Sequence, residues 1–359
     1  MMRCELYGAY TDLAKRFNRM RSPALRALIS LTLFFSIAIP AKVNSATSAP
    51  TPVKIAIALE VGGVGDNSFN DAVVSAVRAV QKKYKISDSY IRVIPTDGTT
   101  ADRIARLKFL AKAGYNLIIA IGADYATAID KISKDFPDIQ YALVNSKSVG
   151  ALNVSCLVFA EQEEAFLAGV VAASSSKTLK VAFISDDSDP QKILFNSFRL
   201  GAIYGNKKVR AISVPFIDSP VDLNNAIKNG VDLIYSTRII DGQILDLVAK
   251  VNSKKNGKVW LIAQSPDQYF LKLPAANKEI LVTLDKRIDR AIADVMALSI
   301  SGGSILDIVD DENSIYGRTY NFKNSGLTLT YLNPVTAATK SKVTRAISEI
   351  KSGKVSTQG

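Results

Sequence analysis

The chain has 359 residues, 48% hydrophobic and 22% charged, which is enough for two packed domains and too apolar for a disordered polymer. It contains no histidine, so Ser-His-Asp hydrolase chemistry is excluded, and the commonest general base and transition-metal ligand are missing. The net charge of +12 suggests an anionic partner, yet seven Lys/Arg against two acids fall in residues 1–46, leaving 38 against 31 (+7) spread as a solvated surface rather than gathered as a nucleic-acid patch.

From Arg21 and Arg26 the chain runs into ALISLTLFFSIAIPA, too short for a comfortable membrane span, and then Val43-Asn44-Ser45-Ala46. A basic start, an apolar stretch and small residues at its end predict a secretory signal over 1–46, cleaved after Ser45 or Ala46; an uncleaved anchor helix is the alternative. Met20 offers a second start that would leave 1–19 untranslated, and 47–52 (TSAPTP being 47–52) form a linker. The expected location is therefore outside the cytoplasm, in the cell envelope or beyond it. Cys4 precedes the exported part and no cysteine lies near the cleavage point, so a lipid anchor is not expected there. Cys156, alone in the body, reads as a buried thiol with no disulfide or metal cage to join.

Nine short apolar runs follow, at 53–59, 90–96, 116–122, 139–145, 179–185, 209–215, 231–237, 258–264 and 279–285. They alternate with amphipathic stretches of helical period, as in parallel sheets covered by helices on both faces. The order repeats: Lys54-Ile55-Ala56-Ile57-Ala58 matches Lys180-Val181-Ala182-Phe183-Ile184, and Gly114-Tyr115-Asn116-Leu117-Ile118 matches Gly230-Val231-Asp232-Leu233-Ile234. Two similar half-chains predict two doubly wound α/β lobes, whose strand-to-helix loops would line a cleft for a small molecule. A final helix is expected over about 336–352.

The loop after the first strand, from Glu60 through Gly62-Gly63-Val64-Gly65-Asp66-Asn67 to Ser68, opens a helix. Its glycine spacing is not the dinucleotide fingerprint, and Glu60 and Asp66 disfavour a phosphate. Phe69-Asn70 at the helix start could present a ring and an amide to a planar heterocycle; on composition alone the favoured alternative is a core Phe69 with Asn70 bonding the local backbone.

The run VGGVGDNSFNDA resembles the loop-and-helix signature of the basic membrane protein family, nucleoside-binding proteins that serve ABC-type importers. Phe136-Pro137-Asp138, Glu163-Glu164-Ala165-Phe166-Leu167-Ala168-Gly169, Trp260-Leu261-Ile262 leading to Asp267-Gln268, and Asp285-Lys286-Arg287-Ile288-Asp289 agree in order. The resemblance implies a periplasmic-binding-protein type I fold with a three-segment hinge: lobe 1 as 53–158 plus 287–325, lobe 2 as 159–286 plus 326–359. It implies that Phe69 stacks on a base, that Asn70 bonds the base edge, and that Lys286 reaches the ligand; an ordinary ion pair is the alternative for Lys286. Phe195 or Phe198 would supply a second aromatic wall, although the family's aromatic position falls on Leu194. Ser265 stands where the family has an acid for the ribose, Thr237-Arg238 replaces a glycine-rich turn, and Thr127 takes an acidic position that Asp124 could cover. Asp267 completes the candidate set.

These readings predict a monomeric, non-enzymatic solute-binding protein for a purine nucleoside or a related small molecule, working with permease and ATPase subunits and needing no cofactor, metal or nucleic acid. The alternative is an envelope protein that keeps the fold as a sensor or interaction module without transport. A hydrolase using Asp66, Asp124 and Asp267 is a third reading, but nothing in the sequence sets them as a paired acid and base.

Overall fold

The computed structural model describes residues 53–186, 188–215, 220–237, 242–254, 258–266 and 277–358. The signal and linker, together with Arg238 and Asp267, lie outside the described residues.

Each of the nine apolar runs forms a strand: β1 (Ile55–Ala58), β2 (Ile91–Ile94), β3 (Leu117–Ile121), β4 (Gln140–Val144), β6 (Lys180–Ser185), β7 (Arg210–Pro215), β8 (Leu233–Ser236), β9 (Trp260–Ser265) and β10 (Ile280–Lys286). Four more accompany them: β5 (Val154–Phe159), β11 (Val309–Asp310), β12 (Ile315–Tyr320) and β13 (Leu327–Tyr331). Two sheets result, in the orders β11-β12-β5-β4-β3-β1-β2 and β13-β10-β9-β8-β6-β7. All pairings are parallel except β11 with β12 and β10 with β13. The sequence repeat is a structural repeat, since β1 sits between β2 and β3 as β6 sits between β7 and β8.

Helices α1 (Phe69–Tyr84), α2 (Thr100–Lys112) and α3 (Ala126–Asp135) cover the first sheet, and α4 (Glu161–Ser175), α5 (Asp189–Gly205), α6 (Val221–Lys228) and α7 (Gly242–Asn252) the second. Helix α8 (Ile288–Ile300) returns to pack on α1, and α9 (Ala337–Lys351) packs on α4. Val73, Val77 and Val80 of α1 recur at helical spacing and are buried, which is what fixes that helix to the sheet. Helix α4 instead buries an unbroken run from Glu164 to Ala173, because α5 and α9 enclose it on the sides the sheet does not reach.

The chain passes between the sheets three times, after β5, after β10 and after β12. The passages are stitched together: Ala160 N donates to Tyr320 O (2.9 Å), Arg287 N to Gly326 O (2.9 Å) and Phe322 N to the Glu163 carboxylate (3.0 Å). Burial, the largest influence on Glu163, pushes its carboxyl above the ordinary value, against the bond from Phe322 and with nearby Glu312 adding to the rise. A raised folded value means that the associated stability is full below the unfolded pKa and is lost as pH climbs through the folded one. Glu163→Gln keeps an acceptor for Phe322 and removes the buried charge. We expect its Tm to exceed wild type by about 2–4 °C at pH 7 and to match it near pH 3.5, read by thermal unfolding at the two pH values.

Candidate functional site

Facing loops at the carboxyl ends of the two sheets form the candidate site. After β1 the backbone turns through Gly62, Gly63 and Gly65, all at positive φ, and enters α1. The first amides of α1 have no helical partner. The Asp66 carboxylate accepts from Ser68 N (2.9 Å), Asn70 N (3.0 Å) and Asp71 N (3.1 Å), and the Asp71 carboxylate accepts in return from Gly65 N (2.7 Å) and Asn67 N (2.9 Å). Asp66 is thus a builder of the loop and cap.

Asn70 is 3% exposed, and its amide is committed to the same loop: Oδ1 accepts from Glu60 N (3.3 Å), and Nδ2 donates to Val61 O (3.2 Å) and Glu60 O (3.5 Å). A contact between Asn70 and a base edge would require those bonds to be exchanged. Phe69 beside it is half-buried against the core.

The loops after β1, β2 and β3 meet at one residue that sequence reasoning passed over. Arg103 of α2 is 5% exposed and donates to Gly98 O (2.7 Å), the Glu60 carboxylate (2.7 Å) and the Asp124 carboxylate (3.2 Å). Its guanidinium lies over the ring of buried Tyr125, 5.4 Å from the centroid, and Tyr125 OH donates to Leu59 O (2.9 Å). Gly122, at φ +107, allows this approach: a Cβ there would stand 2.6 Å from Glu60 Oε1. Asp124 keeps an exposed carboxylate apart from this contact, and Thr127 is exposed on α3.

In the second lobe the two candidate aromatic walls separate. Phe198 is fully buried, with Phe183 and Tyr235 at 5.8 and 5.9 Å between ring centroids, so it belongs to the core rather than to the cleft. Phe195 is half-buried against Phe183 at 5.9 Å. Leu194 and Phe198 share the inward face of α5 at i, i+4 spacing, while Ile193 points outward.

Lys286 is 6% exposed and its Nζ lies 2.8 Å from Glu161 Oε1, joining the end of β10 to the start of α4. The lysine is buried and this partner is Glu161, 125 residues away, rather than the neighbouring Asp285 or Asp289 at the surface. Behind it, Gln264 Nε2 donates to the fully buried Glu164 (3.2 Å) and to Tyr235 OH (3.3 Å). An acid set inside the apolar run EEAFLAG was the available signal for this network. Ser265 and Lys286 line, with Asp285 and with Ala72 and Ala76 of α1, a cavity of about 580 Å³. A second cavity, of about 500 Å³, is bordered by Asn145, Phe159, Glu161, Leu194 and Asn321. The lobes touch directly where Ser68 Oγ donates to Pro266 O (3.2 Å), so the loop after β1 meets the loop after β9.

The structure therefore groups Glu60, Asn70 and Asp124 around Arg103, and Ser265 with Lys286, whereas Phe198 and Thr127 stand apart from both groups. Among the described residues no three His, Cys, Asp or Glu side chains could hold a metal ion, and no helix is long and apolar enough to cross a membrane.

Residues 53–307 match the profile of a family described as ABC transporter substrate-binding protein PnrA-like. The chain is 27% identical over 327 residues to the ABC transporter nucleoside-binding protein BmpA of Lactococcus lactis, covering 85% of this chain and 89% of that one. It is 27% identical over 284 residues to an uncharacterized lipoprotein of Pyrococcus horikoshii, covering 73% and 68%. Among solved structures it resembles an ABC transporter solute-binding protein of Conexibacter woesei, with a TM-score of 0.65 at 16% identity over 85% of this chain and 98% of the other, a likeness in fold.

Proposed function

Because the chain belongs to the PnrA-like family of ABC transporter substrate-binding proteins, we propose that it captures a purine nucleoside or a close relative between its lobes and hands it to the permease and ATPase of an importer. The observation that carries this reading is the Ser68–Pro266 bond, which brings the Phe69 end of one lobe against the Ser265 end of the other. A planar ligand at that junction would stack on Phe69 and meet hydroxyls and amides rather than free charge, because Glu60 is paired with Arg103 and Lys286 with Glu161. Closure follows from contacts the ligand makes only when both lobes reach it. The protein acts outside the cytoplasm, as a monomer, without nucleic acid.

A panel of purine and pyrimidine nucleosides, free bases and pentoses, followed by thermal shift, tests the reading. Purine nucleosides at about a hundred times Kd are expected to add about 2.7 kcal/mol of stability. A panel without any shift would favour the second reading, an envelope protein that retains the fold for sensing or interaction. That reading is motivated by Ser265 in the acidic position and by the engaged amide of Asn70.

A further inference from the structure

The loops after β1, β2 and β3 come from separate parts of the chain, yet one side chain touches all three. Arg103 reaches Glu60 in the first, the Gly98 carbonyl in the second and Asp124 in the third. We propose that Arg103 is the positioning residue of the first lobe's ligand-facing surface, locking these three loops into one body and holding the Glu60 carboxylate away from the ligand. The role rests on the reading of the interlobe cleft as the ligand site.

Three further features support it. The guanidinium is planar and presents a fork of donors, so it can serve a carbonyl and two carboxylates at once, which a lysine ammonium on its flexible stem does not reproduce. Its stacking on Tyr125, itself bonded to Leu59 O, fixes the orientation of the fork. Glu60 is in turn the residue whose backbone N–H and C=O engage the Asn70 amide, so Arg103 also sets the start of α1, where Phe69 lies. The other charged and titratable groups around it are Asp97 after β2, Asp102 and Arg106 on α2, and Tyr125. Arg106 is already engaged by Asp102, so it offers no substitute partner to Glu60.

The test compares wild type, Arg103→Lys and Arg103→Met as full-length exported protein. Without ligand, hydrogen exchange is expected to quicken at least tenfold in 60–68, 96–99 and 122–126 in Arg103→Met, with β6–β10 unchanged. In Arg103→Lys, which keeps one charge contact, the increase should be limited to the loops after β2 and β3. With a purine nucleoside as probe, affinity should fall at least tenfold in Arg103→Met and be largely restored in Arg103→Lys, which keeps a cation beside Glu60. Exchange that changes in α2 alone, or a folded Arg103→Met with wild-type loop protection, would overturn the proposal. If Arg103→Met does not fold, the Arg103→Lys pattern decides. Should wild type bind no nucleoside while the loops still loosen as described, the nucleoside reading fails and the positioning of the three loops stands.

Discussion

Gly201→Val is expected to lower the Tm by roughly 10 °C. Helices α4 and α5 cross so closely that a Cβ at Gly201 would stand 1.8 Å from Phe166 O, and one at Gly169 would stand 2.0 Å from Phe198 O. Both obstacles are backbone atoms of hydrogen-bonded helices, so no side-chain rotation relieves the clash; the helices must separate and open the packing between them. Overpacking a core costs about 1–3 kcal/mol and occasionally more. A backbone-on-backbone contact belongs at the upper end, about 3 kcal/mol, and a domain of this size loses about 2–4 °C per kcal/mol. Gly242→Ala is the control, because a Cβ there meets nothing within 4 Å. Circular dichroism melts of both variants decide the matter; an unchanged Tm for Gly201→Val would refute the close crossing.

Phe69→Ala and Phe198→Ala are expected to part company. Phe198 is enclosed by Phe183 and Tyr235, so its truncation should cost about 3–5 kcal/mol of stability. The affinity of the molecules that remain folded should stay within about twofold, since Phe198 has no open face for a ligand. Phe69 is half-buried at the start of α1, next to the interlobe contact at Ser68. Stacking of an aromatic ring on a base contributes about 1–3 kcal/mol, so Phe69→Ala should weaken nucleoside binding by roughly 5–150-fold with a smaller loss of stability. Chemical denaturation and calorimetric titration of the two variants separate the effects. Equal affinity losses would place both rings in one wall and contradict the burial of Phe198.

The fold was legible in most strands covered on both faces, although β5, buried along nearly its whole length, was not among the nine runs. IAIA in β1 and LIIAI in β3 leave no solvent face, and every such run forms a strand. The strands IYGRTY and LTLTY, β12 and β13, were not legible, because their polar and apolar residues are mixed where the strands are only half covered. The repeated half-chains were visible because each lobe needs the same apolar strand between the same two neighbours.

The site was legible in part. The glycine loop and Asp66 announced a helix start, but whether Asn70 would face a ligand or the loop depended on a geometry that sequence spacing leaves open. Helical period separates Phe198 from Phe195, since Phe198 lies one turn from Leu194 on the buried face. Arg103 gave no local signal: its carboxylate partners are 43 residues before it and 21 after it, and they meet it only when β1, β2 and β3 pair. Lys286 and Glu161, 125 residues apart, join only when the chain has crossed between the lobes.

Native mass spectrometry of the protein, purified without denaturation and then offered purine nucleosides, is the most direct test of nucleoside capture. A one-to-one complex is expected, in which the released small molecule has the mass of a purine nucleoside or a close relative and which is lost on Phe69→Ala. Protein that carries no small molecule and takes up none of the nucleosides offered would contradict it.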